Sequence, residues 1–168
     1  MTMVRIALLV LAAAALLPAQ TKLGIINSQQ AVIETAEIKK AQAELEAKFK
    51  PRQAEIESTQ REIADLQRQL QEGQGKNTPQ QEQNIAAQGQ RRQRDLKRLT
   101  EDLQSEVDRE RNDILGRVGG RMQEIVKKLA EAKGFDVVVD VSNTVYFKPA
   151  LDITKDATAA YDAAYPVK

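Results

Sequence analysis

Apolar residues recur every seven positions through the first half of the chain, at Phe49, Ile56, Ile63 and Leu70. Leu45 and Leu66 take the second seam position of the same repeat, and Arg52 and Thr59 hold that position between them. A seam this narrow and interrupted fits one arm of an antiparallel coiled-coil hairpin better than a free-standing zipper. The pattern predicts helix from about Ser28 to Glu72, with Asn27 as its cap and Gln30 three residues on in the capping-box position. Pro51 stands inside it. A proline in a helix interior removes a hydrogen bond and costs ~3 kcal/mol. The repeat nevertheless runs on from Phe49 to Ile56, so the expectation is a kink, either a packing detail or a hinge that aims the outer half of the arm.

The stretch "EGQGKNTPQQE", residues 72–82, ends the first pattern and starts a second. Gly73 and Gly75 stop one helix; Thr78 caps the next, Pro79 suits its first position, and Gln81 completes a capping box. The return helix is expected from about Pro79 to Lys133. Its stripe is Leu96, Leu99, Leu103, Val107, Ile114, Val118, Met122, Ile125 and Leu129, in the steps of three and four that a one-faced helix requires. Arms of this length extend roughly 65–80 Å at 1.5 Å per residue. Gly116, Gly119 and Gly120 interrupt the return helix, each at a cost of up to about 1 kcal/mol against Ala. They are expected near residues 32–36, where they serve either close helix packing or a hinge at the base of the arm.

The two ends of the chain change pattern. "TKLGIIN", residues 21–27, is a short apolar run of strand type. After Gly134, a helix C-cap, "FDVVVDV" and "TVYF" read as two strands joined at Ser142-Asn143. Asp152 then caps a last helix, on which Ile153, Ala157, Ala160, Tyr161 and Ala164 share a face. The first strand meets the last two only if the whole hairpin leaves the sheet and returns. The expected fold class is therefore α+β, mostly α: a long coiled-coil hairpin arm, residues 35–133 with its tip near 73–78, projecting from a small β-rich body made of residues 21–34 and 134–168. Three short strands and one helix are marginal alone. Oligomerisation would bury more apolar surface, with Phe135, Val137, Val139, Tyr146, Tyr161 and Tyr165 as the interface.

Composition supports that division. Of six aromatic residues, only Phe49 lies before residue 134, so the large side chains that dominate compact cores sit at the C-terminal end. There is no Cys and no His among the 168 residues, which removes disulfides, thiol chemistry and metal or catalytic sites built on those ligands; no cofactor or metal is expected. The first 20 residues, "MTMVRIALLVLAAAALLPAQ", have the charged start, short apolar run and small residue of a secretory signal. They predict export to the periplasm and a soluble product.

Formal net charge is +1, without the basic surplus of nucleic-acid binding. Residues 73–94 carry Lys76, Arg91, Arg92 and Arg94 against Glu82, a local +3, while residues 134–168 carry a net −2. The four basic residues are expected to meet clients or anionic membrane surfaces. Ten of the 27 residues from Gln67 to Gln93 are Gln, which suits many weak, adaptable contacts.

The chain resembles the Skp (OmpH-like) periplasmic chaperones. The resemblance rests on the signal sequence, "KLGIIN" leading into a helix, the long hairpin, "GFDVVVDVSNTVYFKPALDIT" at residues 134–154, and the closing helix. It implies a homotrimer whose bodies associate and whose arms enclose a cavity, and ATP-independent holding of unfolded outer-membrane proteins. The better-known members are strongly basic, whereas this chain is nearly neutral. A structural coiled-coil adaptor of the cell envelope is the alternative. Catalysis is not expected: the closely spaced carboxylates Glu55 and Glu57, or Asp108 and Glu110, are two apart on a helix and do not face one another.

Overall fold

The computed structural model describes residues 21–167; the signal sequence expected over residues 1–20 lies outside them. Strand β1 (Leu23–Ile26) leads through Asn27 into a short helix α1 (Ser28–Ile33). Helix α2 (Ala36–Glu72) runs out along the arm, and α3 (Pro79–Lys133) returns. Strand β2 (Val137–Asp140) then pairs with β1, and helix α4 (Thr154–Ala164) closes the chain. The fold is mostly helical, as the pattern predicts.

The two strands are parallel, in register from Leu23 beside Val137 to Ile26 beside Asp140. Parallel strands need a crossover connection, and here the whole arm provides it. The far edge of β1 is closed by a bridge from Ile25 to Asp152 and a 2.8 Å bond from Ile153 N to Ile25 O. The far edge of β2 has no partner strand among the described residues.

The core lies where strands, α1, α4 and the base of the arm meet. Ile26, Ala31, Ile153, Ala157 and Tyr161 pack with Ile38, Val118, Met122 and Ile125. The last four come from the 35–133 stretch, so the innermost turns of the arm belong to the compact part of the molecule. Gly134 ends α3 with φ +66°, a left-handed turn that costs glycine little.

Four local expectations need correction. The helix expected from Ser28 to Glu72 breaks at Thr35. This fully buried residue donates its hydroxyl to Val32 O (2.8 Å), and its oxygen accepts from Ile38 N (3.3 Å). Ala36 N is taken by Asp162 Oδ1 of α4 at 2.9 Å. One threonine therefore serves both helix ends, and α4 fixes the break.

"TVYF" is not a strand. Asp140 accepts from the backbone and hydroxyl of both Ser142 and Ser28, which draws residues 141–143 into a 3-10 turn. The chain beyond is left without a ladder, with Tyr146 80% exposed. Gly119 lines a groove with Val32 and Ile33, and Glu37 pairs with Arg117 and Arg121, so the glycines lie at the base of the arm near the expected stretch. The three glycines do not, however, serve close packing within the chain, since nothing lies within 4 Å of a Cβ built at any of them. Finally, Ala164 is exposed rather than on the buried face of α4.

Candidate functional site

The arm is held by a thin seam and by charge on its flanks. Phe49, Thr59 and Ile63 are buried. Thr59 fits the apolar seam because its hydroxyl donates to Glu55 O at 2.9 Å, leaving no buried polar group unpaired. Arg52, at the other weak position, reaches across to Glu106. Lys48 pairs with Glu110, and Glu62 with Arg92 at 2.9 Å. These pairs step in opposite directions along α2 and α3, which sets the antiparallel register. Pro51 lies in α2 without ending it.

At the tip the expected capping box forms: Thr78 Oγ1 accepts from Gln81 N, and the Gln81 side chain accepts from Thr78 N at 2.8 Å. The four basic residues assigned to the tip do not form one patch. Lys76 is in the turn. Arg91 and Arg92 line a cleft of about 470 Å³ together with Glu62, Asp65 and Asp95. Arg94 is exposed on α3. Counting the facing stretch of α2, residues 60–95 carry six basic and five acidic residues, a net +1. The local +3 is thus largely answered by the opposite helix.

A larger groove of about 930 Å³ opens where the arm leaves the base. Ile33, Leu45, Ile114, Leu115 and Val126 supply apolar walls, with Arg111 and Asp140 among the polar residues lining it. The seam pattern alone does not reveal this groove. Its sequence signal is the doubled apolar positions Val32-Ile33, Ile114-Leu115 and Ile125-Val126, which widen a stripe beyond what one partner helix covers.

The same junction holds a polar cluster. Tyr161 Oη donates to Glu37 Oε2 at 2.6 Å, and Arg121 Nη1 donates to both Glu37 oxygens at 3.1 and 3.3 Å. Arg117 Nε donates to Glu37 Oε1 at 3.3 Å. Arg121 also lies over the Tyr165 ring at 4.7 Å, and the two tyrosine rings are 4.9 Å apart. Burial opposes the charged form of Glu37, but the bond from Tyr161 and the two guanidiniums outweigh it and hold the carboxyl below its ordinary value. Burial, then the Glu37 carboxylate, pushes the Tyr161 hydroxyl up to about 12. Asp140 is held well below the usual carboxylate range, first by the Ser142 hydroxyl and then by Ser28.

The residues expected at an oligomer interface divide. Val137 and Tyr146 are exposed, and Val139, Phe135 and Tyr165 are partly covered. Tyr161 is a correction: it is fully buried in its own chain, because its hydroxyl finds Glu37 and its ring finds the core. Among the described residues no group of three or more His, Cys, Asp or Glu is placed to hold a metal, and no helix is long and apolar enough to cross a membrane.

The family described as outer membrane protein (OmpH-like) matches residues 22–161. No curated protein matches the chain. Among solved structures, it is similar to a candidate outer membrane chaperone (OmpH-like) from Caulobacter crescentus CB15, at 22% identity over 90% of this chain and 89% of that one, with a TM-score of 0.72. At that identity the likeness speaks for the fold.

Proposed function

The chain belongs to the OmpH-like family of outer membrane proteins, and from that premise we propose that it is an ATP-independent periplasmic holdase that keeps unfolded outer-membrane proteins from aggregating between the arms of an oligomer. The observation that carries this reading is the construction of the arm. Its two helices, 37 and 55 residues long, extend roughly 55 and 80 Å, yet their mutual packing consumes only a narrow seam. Most of their surface is left for another chain. The groove at the base adds an apolar wall to the space beside the arm, and unfolded β-barrel proteins present apolar residues at alternate positions.

Self-association fits the open edge of β2 and the exposed Val137, Val145 and Tyr146 beside it; exposed strand edges and apolar residues invite pairing with another copy. The resemblance implies a trimer. Lys76, Arg91 and Arg94 are the residues proposed to offer positive charge to clients or anionic lipid, while Arg92 is engaged by Glu62. Electrostatic steering is therefore modest, and association slows only moderately as salt rises.

The test is dilution of a urea-unfolded porin into buffer with increasing amounts of the chain and no nucleotide, read by light scattering. Suppression of aggregation at near-stoichiometric amounts is expected. Undiminished precipitation at excess chain contradicts the proposal.

A further inference from the structure

We propose that the Glu37 carboxylate is a latch that fixes the angle between arm and base, set against a hinge made by the Thr35 break in one arm helix and the Gly116–Gly120 stretch in the other. As regulation of the client-holding site it rests on the function proposed above; as a device of the fold it stands on its own geometry.

An arm of two helices swings only if both yield at the same level. Both have a weak point there. The helical run of the outgoing strand is broken at Thr35, between α1 and α2. The returning strand carries Gly116, Gly119 and Gly120, and glycine is the weakest ordinary residue in a helix interior. These glycines sit against the first turns of α2, one or two residues from Arg117 and Arg121. An added Cβ meets nothing within 4 Å at any of the three, so packing within the chain does not account for them.

The latch spans this level. Glu37 is on α2, two residues beyond the break. Its carboxylate takes bonds from Arg117 and Arg121 on α3 and from Tyr161 on α4. It thus ties both arm helices to α4, which belongs wholly to the base. Its side chain is 17% exposed, which shields these bonds from water and strengthens them. Arg121 is held a second time, over the Tyr165 ring, and Tyr165 stacks on Tyr161. The other ties across the break are Ala36 N on Asp162, the Thr35 hydroxyl between Val32 O and Ile38 N, and the place of Ile38 in the core with Ala157 and Tyr161. When the carboxylate contacts are lost, the angle rests on these bonds and on the apolar packing of Ile38, Val118 and Met122, set across two weak points in the helices. Loss of a charge-assisted hydrogen bond changes a two-state population roughly tenfold, so the swung arm should become about ten times more populated.

The chain has no Cys, so paired labels can be placed without interference. Gln80→Cys at the tip and Lys155→Cys on α4, spin-labelled and mixed with excess unlabelled chain, report the arm-to-base distance by electron–electron double resonance. We expect one narrow distribution for the otherwise unchanged chain and a broadened, shifted one for Glu37→Gln. Adding Gly116→Ala, Gly119→Ala and Gly120→Ala should narrow it again. A distribution unmoved by Glu37→Gln, or broadening that the alanines do not reverse, overturns the proposal. Should Glu37→Gln fail to fold by circular dichroism, Tyr161→Phe keeps the ring in the core, removes only the donor, and is held to the same outcomes. No client is present, so failure here is separate from failure of the porin assay.

Discussion

The base and the outer arm are stabilised in different ways. In the base, strands and four helices converge, and Tyr161, Ile25, Val118 and Thr35 are fully buried. Its principal charge, Glu37, is enclosed and bonded to three side chains. In the outer arm, two helices share a seam of single residues, and ion pairs between neighbours on one helix are largely exposed; such pairs contribute about 0–1 kcal/mol each. The contrast teaches that stability is concentrated at one end. The arm is expected to open locally at lower free energy than the base, which suits a surface that must adapt to chains without fixed shape.

Tyr161→Ala should break the comparison at its strong end. It removes a fully buried ring and a hydrogen bond, and should lower global stability by about 3–5 kcal/mol in denaturant unfolding. Phe49→Ala, in the seam, should cost about 3 kcal/mol locally. Hydrogen exchange should quicken along α2 and α3 while β1, β2 and α4 keep their protection. Equal loss of protection in the base would mean that the molecule is a single cooperative unit and that the contrast is false.

The pH dependence should separate the ends as well. Glu37 and Asp140 are both held below their ordinary values, so their contribution is present above the usual carboxylate range and is lost as pH falls through the lowered values. Tyr161 is raised from 10 to about 12, so its contribution is intact below pH 10 and is lost as pH climbs through about 12. Protection of α4 should therefore fall at both extremes, relative to its value near neutral pH, by more than that of the seam around Ile63; a larger relative loss in the seam would contradict this. The smallest expected effect is a gain: Thr59→Leu replaces the one polar residue buried in the outer seam and should add about 1 kcal/mol of local stability.

The arm was legible because a seven-residue repeat and a capping box are local signals. Phe49, Ile63, Thr78 and Gln81 carry them without reference to anything distant. The β1–β2 pairing was legible only as a topological need, since Leu23 and Val137 are joined through the whole arm. What the sequence hid was of two kinds. Thr35 breaks a helix because Asp162, far along the chain, accepts the next amide, and no local signal marks that. "TVYF" has the composition of a strand, but composition does not supply a neighbour, and Asp140 turns the chain away from the sheet edge. The Glu37 cluster joins residues 80 to 124 positions apart, and only its geometry reveals it. The tip charge reads too high in the sequence for a related reason: Arg91 and Arg92 lie far along the chain from Glu62 and Asp65, which face them across the hairpin.

The most direct test of the central claim, that the arms of an assembled protein hold an unfolded chain, is mass by size-exclusion chromatography with light scattering. It should be measured for the protein alone and after dilution of a urea-unfolded porin into it. The account predicts a trimer that gains the mass of one porin and stays in solution. A particle whose mass does not change while the porin precipitates would contradict it.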